Sequence, residues 1–305
     1  MSAIGVGMNH VDLPEPGWVD AHVHVWDRAR HPQPWIDPVT MAAIDRDFDL
    51  PTLRADVGAG AAADAAAPMP RVVLVQTVPV EAETRDLLQT ALDDQLVAGV
   101  VGWVDLTGPA VADRLTALLE ADGGKRLVGV RHLLQDEPDP AWLDRPDARR
   151  GAHAVADAGL ALDLVIRREQ LPAVIRLARA VPGLRLVLDH LGKPRIAAGE
   201  LEPWRTELVA LAGAPNVTAK LSGLVTEADW PSWSVGQLAP YAEAALGAFG
   251  PSRLMFGSDW PVARLATTYP RWLAAARALT SGLDADERRA VFGETAARVY
   301  RLPVR

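Results

Sequence analysis

Residues 19–27 read Val-Asp-Ala-His-Val-His-Val-Trp-Asp, so two imidazoles, His22 and His24, stand one small apolar residue apart. The run reads as a β-strand, and side chains two apart on a strand share a face at roughly 7 Å. Both rings therefore face one spot. Such a pair can hold a divalent metal or donate hydrogen bonds to an oxygen that is gaining negative charge. The pattern is short, and two surface histidines on a half-exposed strand would match it as well.

What must position these rings is a rhythm along the chain. Short β-rich apolar runs at 19–25, 72–78, 100–106, 127–134, 161–166, 184–190, 217–221 and 254–258 alternate with amphipathic helical patterns. Leu88, Leu92 and Leu96 recur every four residues, as do Leu115 and Leu119, and Leu171, Val174, Ile175 and Ala178 follow the same face pattern. Strands alternating with helices indicate a parallel sheet covered by helices, and eight such units fit an α/β fold of the closed (β/α)8 TIM barrel type. No Gly-x-Gly-x-x-Gly stands at a strand-to-helix turn, and no composition shift divides residues 1–305, so one barrel domain is expected. After the first strand, residues 28–70 carry Pro32, Pro34, Pro38 and Pro51 and read as a long irregular cover loop. Residues 58–70, nearly all Ala, Gly and Pro, read as a flexible connection without chemistry.

In a barrel the chemistry gathers at the C-terminal strand ends. Those ends carry His22 and His24; Gln76; Trp103 and Asp105; Arg131 and His132; Asp163; Asp189 and His190; Lys220 and Ser222; and Asp259. Three imidazoles and a carboxylate, His22, His24, His190 and Asp259, make a reasonable tetrad for one divalent metal such as zinc, with a position open to water. Without metal the imidazoles could polarise a carbonyl while Asp259 takes a proton from water. Either way the chemistry is attack of water on a polarised carbon. Arg131, expensive to bury without an anionic or hydroxyl-rich partner, is a candidate for substrate recognition or for a salt bridge with Asp105 or Asp163. Gln76 and Lys193 are further candidates for substrate contact, and Lys220 invites the same reading with less support. Trp35, Trp103 and Trp260 could stack on a sugar ring or belong to the core. His132 should point away from Arg131 and be structural; His10 and His153 lie outside the strand ends.

Composition narrows the partners. With 31 basic against 39 acidic residues and no basic block, the chain does not suit nucleic acid or an anionic membrane. There is no cysteine, which excludes disulfides, thiolate metal sites and a cysteine nucleophile. Neither a signal-peptide pattern in residues 1–16 nor an apolar run of about 18 residues occurs, so a cytoplasmic protein is expected.

Taken together, VDAHVHVWD, VQTVPVEAETRDLL, GVVGWVDL, GVRHLLQDEPDPAWL, VLDHLGKP, KLSGLVTEADW and RLMFGSDWPV resemble the sugar-lactonase branch of the amidohydrolase superfamily, in the family's order over residues 19–302. The resemblance implies a (β/α)8 barrel that hydrolyses the ring ester of a sugar-acid lactone, an aldonolactone of the L-fucono-1,5-lactone type, to the aldonic acid. By position it makes His22, His24, His190 and Asp259 the central site, with Asp259 the base. Binuclear members carry a bridging carboxylated lysine where this chain has Arg131 and His132, so a two-metal site is not expected. The branch includes metal-independent enzymes, which leaves one zinc or none. A lactone isomerase and a metal-dependent decarboxylase on the same scaffold are competing readings, as is a non-catalytic carbohydrate-binding barrel.

Overall fold

The computed structural model describes residues 17–59 and 69–303. Each of the eight apolar runs forms a strand: β1 (Val19–Val23), β2 (Arg71–Val75), β3 (Val97–Gly102), β4 (Leu127–His132), β5 (Ala161–Leu164), β6 (Arg185–Leu188), β7 (Val217–Leu221) and β8 (Leu254–Phe256). They pair in parallel in sequence order. The ring closes where the ends of β1 and β8 meet, with His24 N–H donating to Trp260 O at 2.7 Å and Asp259 N–H to His22 O at 2.9 Å. The architecture is therefore the (β/α)8 barrel.

Helices α1 (Leu50–Gly58), α2 (Glu81–Asp93), α3 (Val111–Glu120), α4 (Pro146–Asp157), α5 (Leu171–Ala180), α6 (Trp204–Ala212), α7 (Val235–Phe249), α8 (Tyr269–Leu279), α9 (Ala285–Arg289) and α10 (Thr295–Val299) accompany the strands. In α5 Leu171, Val174 and Ala178 of the expected face are buried, but Ile175 is only partly so and Leu177 takes its place on the packed face. In α2 the expected stripe is only partly right: Leu88 is buried, Leu92 is 51% exposed, and Leu96 lies past the helix end. Steps of four residues advance 400°, so a strict four-residue repeat drifts off the buried face. The face that packs is Thr84, Leu87, Leu88 and Ala91.

The segment after β1 is less irregular than its prolines suggest. Pro51 occupies the first turn of α1, where a missing N–H costs nothing. Asp49 caps that helix by accepting from Thr52 N–H at 2.8 Å. Residues 60–68 of the Ala/Gly/Pro tract, like His10, lie outside the described residues. Among the described residues no helix is long and apolar enough to cross a membrane.

The core has two parts. Strand residues facing outward pack under the helices, while Val73, Val75, Ala98, Val101, Val187 and Met255 meet Val299, Tyr300 and Leu302 in a second cluster. That second cluster joins strands around the barrel to the C-terminal helix, which stops its lower end. The upper end is left for polar groups.

Candidate active site

β1 delivers His22 and His24 with their Nε2 atoms 3.1 Å apart. His190 follows β6 and Asp259 follows β8, and the carboxylate Oδ1 of Asp259 lies 3.7 Å from His22 Nε2, 3.5 Å from His24 Nε2 and 3.9 Å from His190 Nε2. All four side chains are buried. The expected tetrad is thus assembled around one oxygen.

The backbone bends sharply to achieve this. His190 has φ 54° and Asp259 φ 58°, left-handed values that residues with a Cβ seldom adopt. Such outliers concentrate at functional sites, where surrounding structure holds them. Gly223, at φ +62°, lets β7's exit pass against His190: a Cβ there would sit 2.4 Å from His190 Nδ1.

Each imidazole has a second partner that orients it. His24 Nδ1 is 2.7 Å from the Val75 carbonyl oxygen, His190 Nδ1 is 2.9 Å from Ser222 Oγ, and His22 Nδ1 is 3.0 Å from Lys220 Nζ. Burial and then the Lys220 ammonium hold His22 well below the usual histidine range. Burial brings His190 down to about 4 against the pull of Asp259. Burial alone would raise Asp259, but the His190, His24 and His22 imidazoles outweigh it and hold the carboxyl far below the usual range. At neutral pH the site therefore has an ionised carboxylate beside neutral His22 and His190.

Beneath the tetrad lies a buried ionic network. Lys220 Nζ reaches Asp163 Oδ2 at 2.6 Å and Asp189 Oδ1 at 2.9 Å, and Tyr300 Oη donates to Asp163 Oδ2 at 2.6 Å. Arg131 pairs with Asp189 Oδ2 at 3.1 Å, not with Asp105 or Asp163. Its Nη2 donates to Gln76 Oε1 at 3.0 Å and to the Gln76 carbonyl. Arg131 and Gln76, expected at the substrate, are thus engaged with protein groups at the wall of the site. Lys220, also considered for the substrate, is fully buried in the network, because a buried ammonium requires carboxylates around it.

The remaining candidates are scattered. Lys193 is half-buried and donates to Gln135 Oε1 at 2.6 Å, with Glu227 at 3.9 Å. Trp103 follows β3, partly exposed, and among the described residues its buried indole N–H has no hydrogen-bond partner. Trp35 donates to Gln33 Oε1 at 2.8 Å and meets Trp26 edge-on at 5.8 Å. Trp260 is fully buried, its indole on Asp56 at 2.7 Å, so it is not free to stack on a ligand. Asp105 is exposed and folds back on Thr107. His132 stacks on Trp142 at 4.3 Å and pairs with Glu137, away from the tetrad.

Two braces escaped the sequence reading. Buried Glu83 of α2 accepts from Thr77 N–H and Val78 N–H, fixing the turn after β2. Asp20 accepts from Ser258 N–H at 2.8 Å and Tyr269 Oη at 3.0 Å, and burial pushes its pKa up to about 6. An acid within the apolar run of β1 was the available signal.

Comparison with known proteins gives three findings. The family model described as "Amidohydrolase" matches residues 19–302. The L-fucono-1,5-lactonase of Burkholderia ambifaria is 39% identical over 291 residues, 93% of this chain and 95% of that one; the L-fucono-1,5-lactonase of Burkholderia multivorans is 39% identical over 296 residues, 93% and 96%. A crystal structure of an amidohydrolase from Burkholderia multivorans with bound zinc superposes with a TM-score of 0.84 at 38% identity, over 94% of this chain and 99% of that chain.

Proposed function

This chain belongs to the amidohydrolase family, and from that membership we propose that it is a lactonase opening the ring ester of an aldonolactone of the L-fucono-1,5-lactone type to the aldonic acid. The observation that carries the chemistry is the convergence of three imidazoles on Asp259 Oδ1. A lactone carbonyl seated over the tetrad meets polar hydrogen atoms on one side and an ionised carboxylate on the other. Asp259 orients water and takes its proton as the new carbon–oxygen bond forms, when that proton becomes strongly acidic. Imidazole N–H groups stabilise the oxyanion of the tetrahedral intermediate. Collapse breaks the ring carbon–oxygen bond, and Asp259 returns its proton to the departing alkoxide. Trp35, Trp103 and Lys193 remain the candidates for contact with the sugar, and Arg131 and Gln76 shape the wall.

The donor set also fits one divalent ion. His22, His24 and Asp259 offer ligand atoms within 4.8 Å of one another. His24 gives its Nδ1 proton to a carbonyl, the outer contact that ligating histidines usually make. His190 and the ionised Asp259 complete the cluster around it. Bound there, zinc would supply Lewis-acid polarisation of the carbonyl.

The test is a pH-stat assay over a panel of aldonolactones, on zinc-loaded and chelator-treated protein, with NMR of the products. Proton release with the open acid as product is expected. A new ring without acid release would mark an isomerase, carbon dioxide from an aromatic acid a decarboxylase, and binding without turnover a carbohydrate-binding barrel; each overturns the proposal.

A further inference from the structure

After β6 the backbone makes one turn of the wrong hand. His190, Leu191, Gly192 and Lys193 have φ of 54°, 52°, 73° and 53°, and Lys193 N–H closes the turn on His190 O at 2.9 Å. Three of the four carry a Cβ, for which left-handed backbone is costly and consecutive runs are rare. Setting His190 against Asp259 accounts for the first of them. The others bring the chain to Lys193, near enough that its ammonium, after burial, helps to lower the His190 imidazole.

The exit of β7 runs beside this turn. Ser222 and Gly223 pack against His190, and four residues on stands Glu227, whose N–H donates to Leu224 O at 3.3 Å and whose carbonyl accepts from Ala197 N–H at 2.9 Å. Thr226 Oγ1 donates to Gly223 O at 2.8 Å. These bonds tie the loops after β6 and β7 together and set a Glu227 carboxylate oxygen 3.9 Å from Lys193 Nζ. The pair also borders the tetrad: burial raises the Glu227 carboxyl, Lys193 draws it down, and the Asp259 charge pushes it up again.

A structural salt bridge does not account for the arrangement. At 3.9 Å the two groups are beyond hydrogen-bond length, and each side chain is 26% exposed, where an ion pair contributes little to stability. Lys193 gives one N–H to Gln135 Oε1 at 2.6 Å and has two more. Among the described residues the Glu227 carboxylate accepts no hydrogen bond and meets only Lys193. The pair thus presents a free donor and a free acceptor across a short gap, with no net charge. A hydroxyl group both accepts and donates, and its oxygen can sit about 2.8 Å from each. A carboxylate placed there would be repelled by Glu227 and Asp259.

We propose that Lys193 and Glu227 form a clamp for one ring hydroxyl of the substrate, so that the site selects neutral, hydroxylated lactones over bare or carboxylate-bearing ones. Lys193 donates to the hydroxyl oxygen and Glu227 accepts its proton, while Gln135 positions Lys193. That the hydroxyl belongs to a lactone rests on the lactonase reading; the clamp itself does not.

The deciding measurement compares kcat/KM on an aldonolactone with kcat/KM on δ-valerolactone, which has the ester ring without hydroxyls, for wild type, Glu227→Gln and Lys193→Met. The ratio of the two should fall about ten-fold or more in each variant, the loss expected for a hydrogen bond to a charged group. The double variant should lose less than the product of the single losses, because both groups hold one hydroxyl. Among monodeoxy aldonolactones, one should be slowed by a similar factor in the wild type and not slowed further by Glu227→Gln. A ratio that keeps its wild-type value in both variants, even with slower rates, overturns the clamp. Either variant alone suffices if the other does not fold. A wild type that opens neither lactone overturns the lactonase reading, and calorimetry with the matching 1,5-anhydroalditol, which keeps the ring hydroxyls and has no ester, then tests the clamp. Binding about ten-fold weaker in Glu227→Gln is expected. Equal binding by the two proteins, or binding by neither, overturns it.

Discussion

Asp259 meets imidazoles at 3.5, 3.7 and 3.9 Å and is held below the usual carboxylate range for that reason, so it is charged at neutral pH. Asp259→Asn keeps the shape and removes the charge. Loss of a positioned base should lower kcat by about 100-fold to 10,000-fold with the circular dichroism spectrum unchanged. Steady-state kinetics on an aldonolactone check this; full retained activity would exclude Asp259 as the base. His190 sets the pH profile. Burial lowers it to about 4 while Asp259 pulls it upward, so it is neutral above that value and charged below it. The acid limb of kcat/KM should therefore fall near pH 4 in the wild type. In Asp259→Asn the upward pull is gone, and the limb of the residual activity should move lower. The same residue acts on stability with a defined sign. The unfolded chain binds protons to histidine from about pH 6.5 downward while His190 does not, so stability drops as pH falls from there toward 4.

Individual elements hold these residues through two devices, a brace and a gap. The brace begins at α1, whose Asp56 accepts from the Trp260 indole at 2.7 Å. An aromatic ladder continues it, with Trp260, Phe48, Trp26 and Trp35 meeting edge-on at 5.3, 5.3 and 5.8 Å. The turn that bears Asp259 is thus packed from behind by the segment following β1. The gap is Gly223, where a side chain would collide with His190 and face an unfavourable backbone. Gly223→Ala should cost about 1 kcal/mol or more from the left-handed backbone alone. By pushing His190 off Asp259 it should also lower kcat at least ten-fold. Urea unfolding and kinetics read the two effects separately; a stability loss with unchanged kcat would mean His190 tolerates displacement. These devices explain what could be read beforehand. All eight strands were legible because a buried parallel sheet demands continuous apolar runs, and the tetrad because its members end those runs. Helix α1 was not, since Pro51 breaks a helix everywhere except in the first turn. The partners of Arg131 and Lys220 were not either. A buried cation announces that it needs a carboxylate, but only the barrel's curvature selects Asp189 over Asp105.

At the scale of the whole molecule, the barrel is stopped at one end by the C-terminal helix and active at the other, and a column of buried charge joins them. Tyr300, just past α10, donates to Asp163, which holds Lys220, which donates to His22. Burial pushes Asp163 up to about 6, with Lys220 and Tyr300 restraining the rise. In the unfolded chain this carboxyl titrates near 3.9, as an unperturbed aspartate does. The native state therefore binds the extra proton between those values, and this group's contribution falls as pH rises through that window and is level above it. Tyr300→Phe removes the hydroxyl and keeps the ring, over which Lys220 Nζ stands at 5.5 Å. Asp163 then loses a donor that favours its charged form, and its pKa moves further up. The variant should be destabilised by about 1 to 3 kcal/mol at pH 8, the usual range for a buried acceptor left short of a partner. At pH 5 the carboxyl is largely protonated in both proteins, and the loss should be smaller. Activity per folded molecule should change little, because Lys220 keeps both carboxylates and its contact with His22. Denaturant melts at the two pH values provide the check. An equal loss at both would mean that Tyr300 acts through packing alone and that the charge column ends at Asp163.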